Sequence, residues 1–137
     1  MGLSKVILYG ADEDVGKWVQ QRIGLPMAGT YRAIGLTWND GTIIGGAVYS
    51  NYCGGGISIA VAGVTGWLTR RFIRAALAYP FLQLKVRRLT AYVATRNTTS
   101  QRLIEGVGFT RESVMERGLV DDDLIVYRMF NEDCKWI

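Results

Sequence analysis

Hydrophobic and polar positions along this chain keep two different rhythms, and the change from one to the other marks its elements. Lys5 to Tyr9 (KVILY) is a short β-rich run. Asp12 then stands where a helix N-cap would stand, before Val15, Trp18, Val19 and Ile23 at helical spacing. After Pro26 the pattern turns extended: YRAIGLTW and TIIGGAVYS are β-branched and aromatic runs separated by Asn39-Asp40-Gly41, a hairpin signal. A third run, Ile57 to Val61, follows Gly54-Gly55-Gly56, so three antiparallel strands are predicted in succession. Gly63 to Gly66 breaks the last of them. A helix is predicted from about Trp67 to Leu84, with Phe72, Ile73, Ala76 and Leu77 on its buried stripe, Arg70, Arg71 and Arg74 on its polar face, and Pro80 as a kink or restart.

Arg88 to Thr95 (RLTAYVAT) alternates as a strand, and Thr98 to Gln101 fits a capping box that opens a helix burying Leu103, Ile104 and Val107. Gly108 suits the left-handed end of that helix. Thr110 to Glu116 and Leu124 to Phe130 are the closing strands, joined through Asp121-Asp122-Asp123. The order is β-α-β-β-β-α-β-α-β-β. Its central β-α-β crossover places strands four and five parallel and adjacent. The fold class expected is α/β, a mixed sheet of about seven strands flanked by three helices. Ligands of such sheets bind beyond the carboxyl ends of the parallel strands, near a helix N-terminus, which directs attention to residues 61–71 and 95–102.

Composition narrows the chemistry. A length of 137 residues, 49% of them hydrophobic, fits one domain spanning 1–137. No run is long enough for a membrane span, and Met1 to Gly10 lacks a long apolar stretch ending in a cleavage site, so a soluble, cytoplasmic protein is expected. The chain has no histidine, which removes Ser-His and Cys-His nucleophile systems and the usual zinc spacings. Cys53 and Cys134 are read as reduced thiols, with no structural metal. A net charge of +4 suits an anionic ligand without choosing among them.

Asn97-Thr98-Thr99-Ser100, Leu103-Ile104-Glu105, Gly108-Phe109 and Glu112 together resemble the N-x-x-S-x-x-L-x-E-x-x-G-F-x-x-E stretch of GNAT N-acetyltransferases, in particular the branch that acetylates ribosomal-protein N-termini. Ala78-Tyr79-Pro80-Phe81 and Val86-Arg87-Arg88-Leu89-Thr90-Ala91 are similar to further elements of that branch. The resemblance covers roughly residues 67–130. With one N-terminal helix where two are usual, the chain looks most like the compact proteins of this type encoded by bacteriophages, which would act in the host cytoplasm.

The resemblance implies acetyl-CoA as cosubstrate, held where strands four and five splay apart. Ile59 and Val61 would pair with the pantetheine arm. The diphosphate would lie on the approach to the second helix, at Gly66, Trp67, Leu68, Thr69, Arg70 and Arg71, where helix N–H groups and the helix dipole favour an anion. Asn97, Ser100 and Arg102 would complete the cofactor site. Val64, Trp67 and Thr69 depart from the family's [QR]-x-x-G-x-[GA] pattern, and Ile104 stands where many members carry a proton-donating Tyr. Ser100 is then the substitute acid and Glu112 the candidate base, with Glu116, Tyr127 and the carboxylates of Asp121 to Asp123 nearby in the chain. The family also implies an amine acceptor and subunits that pair through terminal strands as a homodimer. Two other readings stay open: a GNAT-shaped binding module without catalysis, and nucleic-acid binding through the arginines near 70–74 and 85–88.

Overall fold

The structure, a computed structural model, describes residues 2–24 and 29–137. In chain order the elements are β1 (Lys5–Tyr9), α1 (Asp12–Ile23), β2 (Arg32–Trp38), β3 (Ile43–Ser50), β4 (Gly56–Gly63), α2 (Arg70–Ala78), β5 (Arg88–Ala94), α3 (Thr98–Val107), β6 (Thr110–Met115) and β7 (Leu124–Phe130). The strands form one mixed sheet in the order β1-β2-β3-β4-β5-β7-β6. Every neighbouring pair is antiparallel except β4 and β5, which are parallel as the crossover required. The change of pattern at Pro26 lies outside the described residues.

Helix α1 packs Val15 and Val19 on Ala33 and Val48, covering one face of β2 to β4. It sits close to the sheet because Gly35 and Gly46 carry no side chain: a methyl group on either would come within 2.8 Å of Val15. Helices α2 and α3 cover the opposite face, where Phe72, Leu77 and Ile104 join Ile57, Ile59, Leu89, Ala91 and Tyr127 in the main core. Among the described residues no helix covers the β5–β7–β6 half of the α1 face. Every residue of β6 is exposed. No described helix is long and apolar enough to cross a membrane.

Four element ends differ from the sequence reading. Asp12 is the first residue of α1 and does not cap it; its carboxylate instead accepts the Ala33 N–H at 2.8 Å and lies 3.6 Å from Arg32, tying the helix start to β2. Helix α2 begins at Arg70, three residues later than expected, because Thr69 caps it: the hydroxyl accepts the Phe72 N–H at 3.1 Å. It also ends early, at Ala78, where Tyr79–Gln83 forms a π-helical turn. Pro80 has no N–H to give the Ala76 carbonyl, and the buried Tyr49 hydroxyl donates to that carbonyl instead. Helix α3 is capped by Asn97, not Thr98: the Asn97 amide oxygen accepts the Ser100 N–H at 3.1 Å. Gln101 reaches back to the carbonyls of Ala94 and Thr95 at 3.3 and 2.8 Å, fastening α3 to the end of β5. Gly108 closes α3 at φ 122°, a positive angle that suits glycine.

Candidate active site: the fork between β4 and β5

β4 and β5 pair only from Gly56↔Arg88 to Ile59↔Ala91. Both strands continue, β4 to Gly63 and β5 to Ala94, each still bonded to its other neighbour. The sheet is therefore split along its parallel seam for the last turns of two strands. The register says which backbone groups face the split. Val64 donates to the Ile44 carbonyl at 2.8 Å, so the even-numbered residues of β4 bond to β3, and Ile59, Val61 and Gly63 turn their N–H and C=O toward β5. Asn131 N–H to Arg87 and Thr95 N–H to Asp123 fix the odd-numbered residues of β5 on β7, which turns Thr90, Tyr92 and Ala94 toward β4. The Ala94 carbonyl is taken by Gln101 and by the Asn97 N–H. The Ile59↔Ala91 pair uses the Tyr92 N–H; past it, the N–H and C=O of Val61 and the C=O of Tyr92 face open space with no strand to bond.

That space is a cavity of about 510 Å³. It passes through the sheet. Ile59, Val61, Ala91, Val93, Ser100 and Ile104 line it on the α2/α3 face, while Ala60 and Tyr92 line it on the α1 face with Ile23 and Gly24 at the end of α1. Arg96, Asn97 and the β6–β7 loop residues Leu119 to Asp121 complete the wall.

No family model matches the sequence, and no curated protein does so. Solved structures do match the fold. A mutant spermidine/spermine N-acetyltransferase of Vibrio cholerae superposes with a TM-score of 0.73 at 14% identity, over 94% of this chain and 96% of that one. The spermidine N-acetyltransferase of the same organism in complex with CoA and spermine gives 0.72 at 15% identity, over 94% and 96%. An acetyltransferase of the GNAT family from Bacillus anthracis gives 0.63 at 20% identity, over 73% of this chain and 66% of that one. The chain has the GNAT acetyltransferase fold.

Within this GNAT fold the candidate cofactor residues fall into two groups. Ile59, Val61, Asn97 and Ser100 line the fork cavity. Gly66, Trp67, Leu68, Thr69, Arg70 and Arg71 form the approach to α2, outside that lining. Trp67 needs a correction as a cofactor contact: its ring is only 5% exposed and packs edge-on against Phe72 at 5.1 Å. The indole fills the space that side chains at Gly45 and Gly63 would need. It belongs to the core. Lys5 from β1 donates to the exposed Gly66 carbonyl at 2.9 Å and to the half-buried Trp67 carbonyl at 3.4 Å. The carbonyls of the loop are thus tied inward, and Arg70 and Arg71 open the helix with N–H groups that have no intrahelical acceptor. The Thr69 hydroxyl is spent as the cap. Arg70, Arg71 and Arg102 are exposed.

Glu112, the candidate base, is held by two arginines. It sits in a bulge of β6 and does not line the cavity. Both its oxygens accept from Arg88, at 2.9 and 2.7 Å, and Arg128 lies 3.2 Å away. Those guanidinium hydrogen bonds hold its carboxyl below the ordinary range, the opposite of what a base working near neutral pH requires. The acidic turn is committed as well. Asp122 accepts from the Thr95 hydroxyl and, at 3.0 Å, from the Arg96 N–H, contacts that lower its pKa. Asp121 pairs with Arg96 at 2.9 Å, and Asp123 accepts the Arg117 N–H at 2.8 Å. These bonds close the β6–β7 loop over the end of β5. The Tyr127 hydroxyl donates to Glu105 at 2.6 Å, and burial first, then that bond, raises its pKa. Ile104 is buried and puts a hydrocarbon wall where the fold offers room for a donor.

The arginines proposed for nucleic acid do not form one patch. Arg70, Arg71 and Arg74 stand at the start of α2 and 85–88 beyond the π-helical turn, and Arg88 is consumed by Glu112. Tyr92 was missed by sequence reasoning. Its signal was present, because the alternation of RLTAYVAT sets it on the face opposite Leu89, Ala91 and Val93.

Proposed function

We propose that the chain, as one domain over 1–137, is an acetyl-CoA-dependent N-acetyltransferase that acylates a primary amine on a peptide, protein or small molecule. The observation that carries this reading is the split of β4 from β5 after the Ile59↔Ala91 pair, with the unbonded main chain of Val61 lining a cavity open to both faces. An extended amide arm can add to β4 there as a strand would. The free N–H groups opening α2, beside Arg70 and Arg71, suit the diphosphate, and Asn97, Ser100 and Arg102 flank the path between. With both reactants held in one cleft, positioning contributes about 7 to 11 kcal/mol toward the barrier. The amine enters as the free base from the α1 face.

The relative solved with CoA and spermine takes a polycation. In this chain Asp121, the one carboxylate lining the cavity among the described residues, is paired with Arg96, and its neighbours are bonded to backbone or hydroxyl groups. The reading is accordingly an amine on a neutral carrier, such as a peptide terminus, in keeping with the ribosomal-protein branch and the compact phage-encoded type. Action in the cytoplasm, where acetyl-CoA is made, and pairing of subunits through the exposed β6 edge belong to the same proposal.

Titration with acetyl-CoA tests it. Ligand at 100 times its dissociation constant should stabilise the fold by about 2.7 kcal/mol, and thiol should be released with a peptide amine. Absence of binding would end the reading. Binding without thiol release across a panel of amines would favour the catalytically silent module, for which Ile104 in the cavity wall is the structural motive.

A further inference from the structure

Resting on the acetyltransferase reading, the fork cavity raises the question of which group receives the bond that breaks. The side chains lining it that carry a labile proton or a charge are Tyr92, Arg96, Ser100 and Asp121. Arg96 and Asp121 hold each other at 2.9 Å. Ser100 offers an aliphatic hydroxyl on the α3 side. Tyr92 is different in three respects. It follows Ala91, the last residue of β5 to pair with β4, so its side chain leaves the strand at the apex of the fork. It stands on the α1 face, where the acceptor would enter, and is 39% exposed. The other two tyrosines near the sheet centre have committed hydroxyls, Tyr49 to the Ala76 carbonyl and Tyr127 to Glu105, whereas that of Tyr92 takes part in no hydrogen bond within the described residues. A phenol is a far stronger acid than an aliphatic alcohol and lies close to a thiol, which makes it the better partner for a departing thiolate.

We propose that Tyr92 is a catalytic residue that protonates the leaving thiolate. The amine nitrogen forms its bond to the thioester carbon, the carbon–sulfur bond breaks with its electron pair going to sulfur, and the phenolic proton moves to that sulfur. The phenolate recovers a proton from the one released by the amine nitrogen, carried by solvent in the open cavity. The charged groups around the phenol are Arg88 on the same face of β5, the Glu112 and Arg128 that pair on β6 and β7, and Arg96 with Asp121 across the cavity. At the end of α1, Ile23 and Gly24 line the cavity, and Arg22 of the last turn stacks on the Trp18 ring at 3.4 Å.

The test compares wild type, Tyr92→Phe and Ser100→Ala by calorimetric acetyl-CoA binding, by kcat with a peptide amine from pH 6 to 10.5, and by unfolding midpoint. The Phe variant keeps the ring and should keep the midpoint. Its kcat should fall roughly 10²- to 10⁴-fold, with the dissociation constant for acetyl-CoA changed less than twofold. The kcat loss on Ser100→Ala should be smaller than that on Tyr92→Phe. A Tyr92→Phe enzyme with wild-type kcat overturns the role of Tyr92 while leaving the acetyltransferase reading in place. A kcat loss matched by an equal loss of acetyl-CoA affinity overturns it too, as does a larger loss on Ser100→Ala. Wild-type protein that binds no acetyl-CoA overturns both.

Discussion

Trp67 lies over Gly63, its indole occupying the space that a side chain there would need, with Gly45 on the adjoining strand leaving room for the same ring. A tryptophan at the mouth of a phosphate loop would be expected to obstruct an anion. Buried in this notch, it anchors the loop instead, and the backbone leading into α2 is left at the surface.

Removing the anchor should cost stability. Trp67→Ala empties a core position and should destabilise the fold by about 3 to 5 kcal/mol. Gly63→Val drives a side chain into the ring and should cost about 1 to 3 kcal/mol or more. Urea denaturation of both variants checks this, and a midpoint unchanged in either would place the indole outside the core.

Strand addition at Val61 predicts opposite outcomes for neighbouring prolines. The Val61 N–H faces the open fork, so Val61→Pro should fold and should weaken acetyl-CoA binding roughly tenfold or more. The Ala60 N–H bonds to β3, so Ala60→Pro should instead lower the unfolding midpoint. Thermal scans paired with calorimetry on the two variants separate the effects.

Charge reversal at the start of α2 should act on the ligand and spare the fold. Arg70→Glu is expected to weaken acetyl-CoA binding about 3- to 10-fold at low salt, and the gap should narrow as salt rises, because the group is exposed and screened. Equal dissociation constants at low salt would show that this arginine is only solvated.

Glu112 should behave as a structural carboxylate. Its folded pKa is depressed below the ordinary value near 4.5 by Arg88 and then Arg128, so its contribution to stability is complete above that value. It is lost as pH falls through the lower folded value. The stability difference between wild type and Glu112→Gln should accordingly be small and positive at pH 7, shrink below pH 4.5, and fade in high salt, while kcat at neutral pH stays within about threefold. A kcat loss of a hundredfold would return Glu112 to the role of base.

Much of the site was legible from the chain. The β-α-β pattern around 57–95 placed the parallel pair, and the family resemblance, not the local pattern, pointed to Ile59 and Val61, whose main chain turns toward β5. The N-x-x-S pattern found the start of α3, though the cap proved to be Asn97, because an amide oxygen one residue earlier reaches the Ser100 N–H and frees Gln101 to hold the end of β5. The partners of Glu112 and of the acidic turn were not legible in the chain, for a common reason. A carboxylate in a sequence is an unspent charge, and Arg88, Arg128, Thr95 and Arg96, which spend those charges here, come from other strands and loops.

Periodicity, turn residues and the crossover rule determined from sequence alone which segments are strands and helices, and that β4 and β5 run parallel, since these depend on local geometry and the handedness of the chain. Only the tertiary structure decided where that pairing stops, into which glycine notch the indole turns, and that Tyr92 opens onto a cavity with its hydroxyl in no hydrogen bond among the described residues. Those outcomes are set by contacts between residues far apart in the chain, whose energies no local pattern records.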